Sequence, residues 1–302
     1  MMDKIHVSSA TASFLELEKK NIDALPTTLY FMIGERCNGA CSYCTGGNNF
    51  LSRVRWPPFS LAEVAKKIAG KKAGRICIQS LYYPGFLENI LYVTKKFAGY
   101  GIPISVSMNP VGKEKMKKMK KEGVERIGIG LDCCSEDLFN KWKKNVPSWD
   151  EYMHALKDAK KIFGNATAHL IIGLGESDEE AIGMMKDLAK HGIKIALFAF
   201  TPVKMNMPPP SIERYRAMQL ARYSIEKGEG EFYFKEGKLH KIFIPSGGEA
   251  FVTSGCPSCN RPFYNERASG PLYNYPRPMD EYEIKQAMKE VKNYARVYFT
   301  SP

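Results

Sequence analysis

From residue 27 to residue 210 the chain alternates short apolar runs with longer amphipathic ones, and this alternation limits the fold more than any other feature. Residues 29–33, 75–80, 102–108, 126–131, 167–172 and 194–200 read as strands. A helix is expected from about Ser60, with Ser60 as its cap and Glu63 at the capping-box position. Further helices are expected over 86–98, 113–121, 149–163 and 178–191. Strand runs such as 193–200 are apolar throughout but for Lys194, as in a sheet covered on both faces. Repeated βα units imply parallel strands with right-handed crossovers, hence an α/β doubly wound sheet or barrel. Six β/α units, over 27–210, fall short of the eight of a closed TIM barrel. Residues 1–26 form an N-terminal extension. The C-terminal extension, 211–302, holds a helix at 212–227, a hairpin of 231–234 and 239–244, and a final helix at 281–296. A loop over 246–278, rich in Gly, Pro, Asn and Arg, lies between the hairpin and that helix.

In such folds the chemistry sits at the carboxyl ends of the strands, and a cysteine cluster directly follows the first one. Cys37, Cys41 and Cys44 are spaced x3 and then x2. Three thiolates on one short loop can hold three irons of a 4Fe–4S cubane and leave the fourth without a protein ligand. The small residues Gly39, Ala40 and Ser42 let the backbone wrap such a cluster. The competing reading is zinc, which wants four ligands, usually in two C-x2-4-C knuckles, and fits this spacing poorly. A second group, Cys256-Pro257-Ser258-Cys259, turns two thiolates toward one metal. It reads either as half a zinc knuckle or as part of an auxiliary Fe–S cluster near the barrel mouth. An auxiliary cluster needs more ligands, for which Cys77, Cys133 and Cys134 are candidates. Each reads equally well as a buried structural cysteine.

The chain opens without the basic-then-apolar pattern of a secretory signal, and no apolar run approaches the roughly 18 residues needed to span a bilayer. Clustered thiols in that context indicate metal ligation in a reducing cytoplasm. A formal charge of +12 favours acidic partners. Six lysines crowd residues 113–121, which read as a solvated helix face with Met116 and Met119 turned inward. That run lacks aromatic or arginine interleaving, so no nucleic-acid partner is expected, and no membrane either.

With Tyr43 in its aromatic slot, the pattern C-x3-C-x-aromatic-C resembles the signature of the radical S-adenosylmethionine (SAM) superfamily. The resemblance implies that Cys37, Cys41 and Cys44 hold the cluster that binds SAM, with Tyr43 against the adenine, and that the fold is the partial barrel of that superfamily. Ile172-Gly173-Leu174-Gly175-Glu176 resembles the family's fifth-strand segment, which assigns Gly173, Gly175 and Glu176 to cofactor binding. A plain strand-to-helix glycine turn is the alternative. Asp132 matches an acidic position used on the SAM ribose in biotin-synthase-like members, and capping the next helix is its alternative. Phe198-Ala199-Phe200-Thr201-Pro202 takes the sixth-strand position, with Met205-Asn206-Met207 replacing the Gly-Thr-Pro often found nearby.

Over roughly residues 30–200 the chain looks like biotin synthase. Cys77 matches the first of three strand cysteines that hold the sulfur-donating cluster there, but Ser105 and Thr167 fill the other two positions. The C-x4-C-x5-C and Arg-Ser-Ser-Tyr segments of single-chain lipoyl synthases are absent. The stretches 208–212, 254–267 and 270–278 are similar to the biotin-synthase-related group that includes one subunit of a two-component lipoyl synthase. That resemblance implies sulfur insertion into a protein-bound octanoyl chain, with the cluster at Cys256 and Cys259 donating sulfide. It also implies an acidic lipoyl-carrier domain, a second radical SAM subunit and an electron donor such as ferredoxin. Arg261 and Arg267 read as ligands or counter-charges of that cluster, as substrate-positioning groups, or as surface hydrogen-bonding groups. The rival functions are another radical SAM reaction, such as thiolation of a small molecule, and a non-catalytic metal-binding scaffold.

Overall fold

The computed structural model describes residues 2–19, 24–47, 50–244, 249–262, 264–266 and 270–299. The chain opens with β1 (Lys4–Val7), α1 (Ser9–Phe14) and β2 (Thr28–Ile33), then the short strands β3 (Phe50–Leu51), β4 (Val54–Arg55) and β5 (Pro58–Ser60). The βα series continues through α2 (Leu61–Ile68), β6 (Arg75–Ser80), α3 (Phe86–Ala98), β7 (Ile104–Met108), α4 (Lys113–Lys121) and β8 (Val124–Asp132). It goes on with α5 (Glu136–Trp142), α6 (Trp149–Phe163), β9 (Ala166–Ile172), α7 (Asp178–Lys190) and β10 (Lys194–Ala199). The last elements are α8 (Ile212–Lys227), β11 (Glu231–Lys235), β12 (Lys238–Ile244), α9 (Glu281–Tyr294) and β13 (Arg296–Phe299).

Eight strands form one sheet in the order β10-β9-β8-β7-β6-β2-β1-β5. The six strands expected from the sequence pair in parallel across it. β1 and β5 add antiparallel at the β2 end. The result is an open, TIM-like partial barrel. Ile76, Ile78, Val106, Ile127, Ile129, Leu170, Ile195 and Leu197 point outward under the helices and are fully buried. Each such side chain contributes about 1.5–3 kcal/mol. Their neighbours Tyr30, Arg75, Cys77, Gln79, Ser105, Ser107, Thr167 and His169 turn the other way and line a cavity. The expectation of strands apolar on both faces is therefore corrected, because helices cover only the outer face.

The tail loop spans the gap that the open sheet leaves. On β10, Ser254 Oγ accepts from the Leu197 amide at 3.0 Å, and Asn265 donates to the Ala199 carbonyl at 2.9 Å. On the β2 side, the Thr27 amide donates to Asn260 Oδ1 at 3.0 Å and the Thr28 hydroxyl to the Ser258 carbonyl at 2.6 Å. Gly255 makes this fit possible. Its φ is +113°, and an added Cβ would stand 2.7 Å from the Ala196 Cβ.

Some local expectations are corrected. Ser60 precedes α2 but makes no side-chain cap. It belongs to β5, opposite Lys4, and the Leu61 amide is instead satisfied by the Asp3 carbonyl at 2.9 Å. The terminal helix stops at Tyr294, because Arg296–Phe299 pairs in parallel with β12. Met116 and Met119 are fully buried beneath the lysine-rich face, as expected. No helix among the described residues is long and apolar enough to cross a membrane.

Candidate active site

The first cysteine loop leaves β2 through Gly34, whose φ of +100° and approach to Tyr83 favour glycine. The loop is pinned by backbone bonds. The Asn38 amide donates to Tyr82 at 2.6 Å, Ala40 to Lys144 at 2.8 Å, and Ser42 to Trp142 at 2.9 Å. An added Cβ at Gly39 would meet Val146 Cγ1 at 3.1 Å, Cys37 Sγ at 3.4 Å and Cys41 Sγ at 4.0 Å. Two of the three sulfurs thus flank the glycine, which gives the cradle a cluster requires. Cys44 Sγ accepts from the Gly46 amide at 3.4 Å. Burial pushes the Cys41 thiol up to about 11 and raises Cys44 as well. Among the described residues no three His, Cys, Asp or Glu side chains converge tightly enough to hold a single metal ion. A cubane seats each thiolate on a different iron, so its ligands need only ring a cluster-sized space.

Beside this loop stands a polar group that the sequence only half revealed. Asp132 ends β8 at φ +67°. Its Oδ2 accepts from the Tyr43 hydroxyl at 2.6 Å and from Lys143 Nζ at 2.8 Å. Lys143 also donates to the Gly130 carbonyl at 2.5 Å and lies over the Tyr152 ring. Burial works to raise the Asp132 carboxyl, but the charge and hydrogen bond of Lys143, helped by Tyr43, hold it below the usual carboxylate range. Burial likewise works against the Lys143 ammonium, and Asp132 more than offsets it. Asp132 does not cap the following helix, whose cap position is Ser135. Lys143 had no sequence signal of its own, because its role depends on α5 bringing it back under β8.

Gly173, Gly175 and Glu176 do not line the cavity. The Glu176 carboxylate turns back to accept the Gly173 and Leu174 amides at 2.8 and 2.9 Å, and it pairs with Arg214 at 3.0 Å. The segment braces the β9–α7 turn.

Cys256 and Cys259 reach the same cavity from the tail. Its volume is about 270 Å³, and its wall includes Cys37, Cys44, Tyr43, Asp132, Cys77, Cys256, Cys259 and Arg261. Cys133 and Cys134, the other candidates for further ligands of the tail pair, are buried in the main core outside this wall. Arg261 lies over the Phe198 ring and donates to the Leu197 carbonyl at 3.2 Å. Arg267 lies outside the described residues.

His169 occupies the middle of this wall, and Gly128 leaves it room: an added Cβ there would stand 2.9 Å from Nε2. Burial, reinforced by Arg261, pushes the imidazole down to about 4. It is therefore neutral at pH 7. Because the folded value is depressed, the unfolded chain binds the extra proton as pH falls below about 6.5. Stability is then lost through that window, by about 2 kcal/mol between pH 7 and pH 5. His169→Gln removes this component, so anaerobic urea unfolding at the two pH values shows a correspondingly smaller difference than wild type.

A partial parallel barrel with a three-cysteine loop after its first strand defines the class. The Radical SAM superfamily family pattern matches residues 31–188, more than half the chain, and the protein belongs to that superfamily. Biotin synthases are among its relatives. The mitochondrial biotin synthase of Arabidopsis thaliana is 24% identical over 63% of this chain and 54% of its own length. The biotin synthase of Methanococcus maripaludis is 25% identical over 72% of this chain and 75% of its own. The chain thus spans about half the length of the first curated relatives it matches. Among solved structures, methylornithine synthase superposes with a TM-score of 0.54 at 13% identity, covering 66% of this chain and 62% of that one. The FeFe-hydrogenase maturase HydG from Carboxydothermus hydrogenoformans gives 0.52 at 18% identity, covering 67% and 51%. These likenesses speak for the fold.

Proposed function

We propose that this chain inserts sulfur at an unactivated carbon of a protein-bound octanoyl chain, as one subunit of a two-subunit lipoyl synthase. The observation that carries the reading is one cavity lined by Cys37 and Cys44 on one side and by Cys77, Cys256 and Cys259 on another. When bound, SAM and its cluster supply a 5′-deoxyadenosyl radical that takes hydrogen from a C–H bond, and the second cluster supplies the sulfide that forms the C–S bond. Cys37, Cys41 and Cys44 hold the first cluster, and Cys256 and Cys259 anchor the second. Asp132, kept ionised by Lys143, would accept hydrogen bonds from the ribose hydroxyls, with Tyr43 orienting that carboxylate. Met32, Leu51, Leu81, Met108, Phe198 and Phe200 supply apolar wall suited to an alkyl chain. The net charge of +12 suits an acidic carrier domain steered to the cavity mouth, and a low-potential donor such as ferredoxin supplies electrons.

Incubation with octanoylated carrier, the second subunit, SAM and reductant tests this directly. The carrier is expected to gain the mass of sulfur in place of hydrogen, with matching release of 5′-deoxyadenosine. An unchanged carrier beside continued SAM cleavage overturns the substrate assignment. A second reading, thiolation of a small carboxylate, is favoured by Arg261, which reaches the cavity with no ion-pair partner found for it among the described residues. Release of 5′-deoxyadenosine that responds to free acids and ignores the carrier selects that reading.

A further inference from the structure

A single row crosses the floor of the barrel, running Tyr30, Cys77, Ser105 and Arg126 on β2, β6, β7 and β8. The tail loop sets Cys259 Sγ 3.4 Å from the Tyr30 hydroxyl. It sets Cys256 Sγ 3.5 Å from Thr167 Oγ1, on β9. Cys77 packs in the same small apolar cluster as Cys259, and all three cysteines line the cavity. One strand and one loop therefore bring three thiols to one corner of the floor.

The charge beneath them is out of balance. Arg75 and Arg126 are each 5% exposed. Arg75 donates to Glu125 at 2.5 Å and to the Pro257 carbonyl, inside the cysteine loop, at 3.1 Å. Glu125 stands 3.9 Å from Arg126 Nε, beyond hydrogen-bond reach, and that nitrogen has no hydrogen-bond partner among the described residues. Two buried guanidiniums thus share one carboxylate, and a buried surplus charge is destabilising unless something anionic meets it. An oxidised cluster on three thiolates carries a single net negative charge, which matches the surplus.

We infer that Cys77 completes a three-thiolate ligand set with Cys256 and Cys259 for the second cluster, and that Arg126 is its counter-charge rather than a ligand. The inference rests on the proposed presence of a second cluster but not on its substrate. Its test is spectroscopic and needs no activity. The parent is the full chain with Cys37→Ala, Cys41→Ala and Cys44→Ala, reconstituted anaerobically, and it is expected to hold about four irons. Adding Cys77→Ser removes most of that iron and its visible absorption, whereas adding Cys133→Ser leaves both, with circular dichroism of the apo-proteins showing that each folds. Arg126→Met keeps the iron but moves the cluster's reduction potential to more negative values, and Arg126→Lys restores it.

If Cys77→Ser retains the parent's iron and spectrum, Cys77 is not a ligand and the inference fails, while the sulfur-insertion reading stands. A parent that binds no iron removes the second cluster, and the inference and the donor role fall together. An unchanged potential in Arg126→Met overturns the counter-charge assignment.

Discussion

Replacing any one of Cys37, Cys41 or Cys44 with alanine reduces SAM cleavage to the no-enzyme background and lowers the iron of the reconstituted chain by about four per protein. The size of the effect follows from the loop. Each thiolate would serve a different iron, and the loop backbone is fixed by the carbonyls of Tyr82, Trp142 and Lys144, so it cannot shift to offer a substitute. Cys133→Ala is the control. Cys133 is fully buried in the apolar core, so its loss costs packing energy and leaves iron and SAM cleavage intact. Iron content with 5′-deoxyadenosine release checks all four variants.

Lys143→Met is expected to lower stability at pH 7 by about 3–5 kcal/mol, because it leaves the Asp132 carboxylate buried without its cation. That is a large part of the margin of a typical domain. The pH dependence gives the effect a signature. In the wild type the Asp132 carboxyl is held low by Lys143, so the pair's contribution is present above about pH 4 and is lost as pH falls through the folded value. In Lys143→Met the carboxyl rises, so the deficit is largest at neutral pH and shrinks toward acid. Adding Asp132→Asn removes the orphaned charge and recovers part of the loss. Urea unfolding between pH 4 and 8 of the apo-forms of the wild type and both variants measures the effect.

The outer half of the barrel was legible in the sequence and the inner half was not. Apolar residues recur where helices cover the sheet, so strands such as Arg75–Ser80 and helices such as Phe86–Ala98 and Trp149–Phe163 fall where their periodicity puts them. The lumen carried a signal of its own that continuous apolarity obscured. Arg75-Ile76-Cys77-Ile78-Gln79, Ser105-Val106-Ser107 and Thr167-Ala168-His169-Leu170 each alternate polar with apolar, which in a helix-covered strand marks a wet inner face. The first cysteine loop was legible because its three thiolates sit within eight residues. Cys77 and the tail cysteines are about 180 residues apart and meet only because the tail bridges β10 and β2. Spacing therefore could not separate Cys77 from Cys133 and Cys134. Lys143 and Arg126 were illegible for a related reason: a buried lysine or arginine reads as a surface residue until its partners, or their absence, are placed around it.

The central claim is that sulfur passes from a cluster held by Cys256 and Cys259 to a carbon radical generated in the same cavity. The most direct measurement reconstitutes the chain with sulfur-34 sulfide, runs one turnover with octanoylated carrier, second subunit, SAM and unlabelled reductant, and weighs the carrier. Sulfur-34 is expected in the product, and none from a Cys256→Ala/Cys259→Ala chain that still cleaves SAM. Product sulfur of natural isotopic composition, or labelled product from that variant, would contradict it.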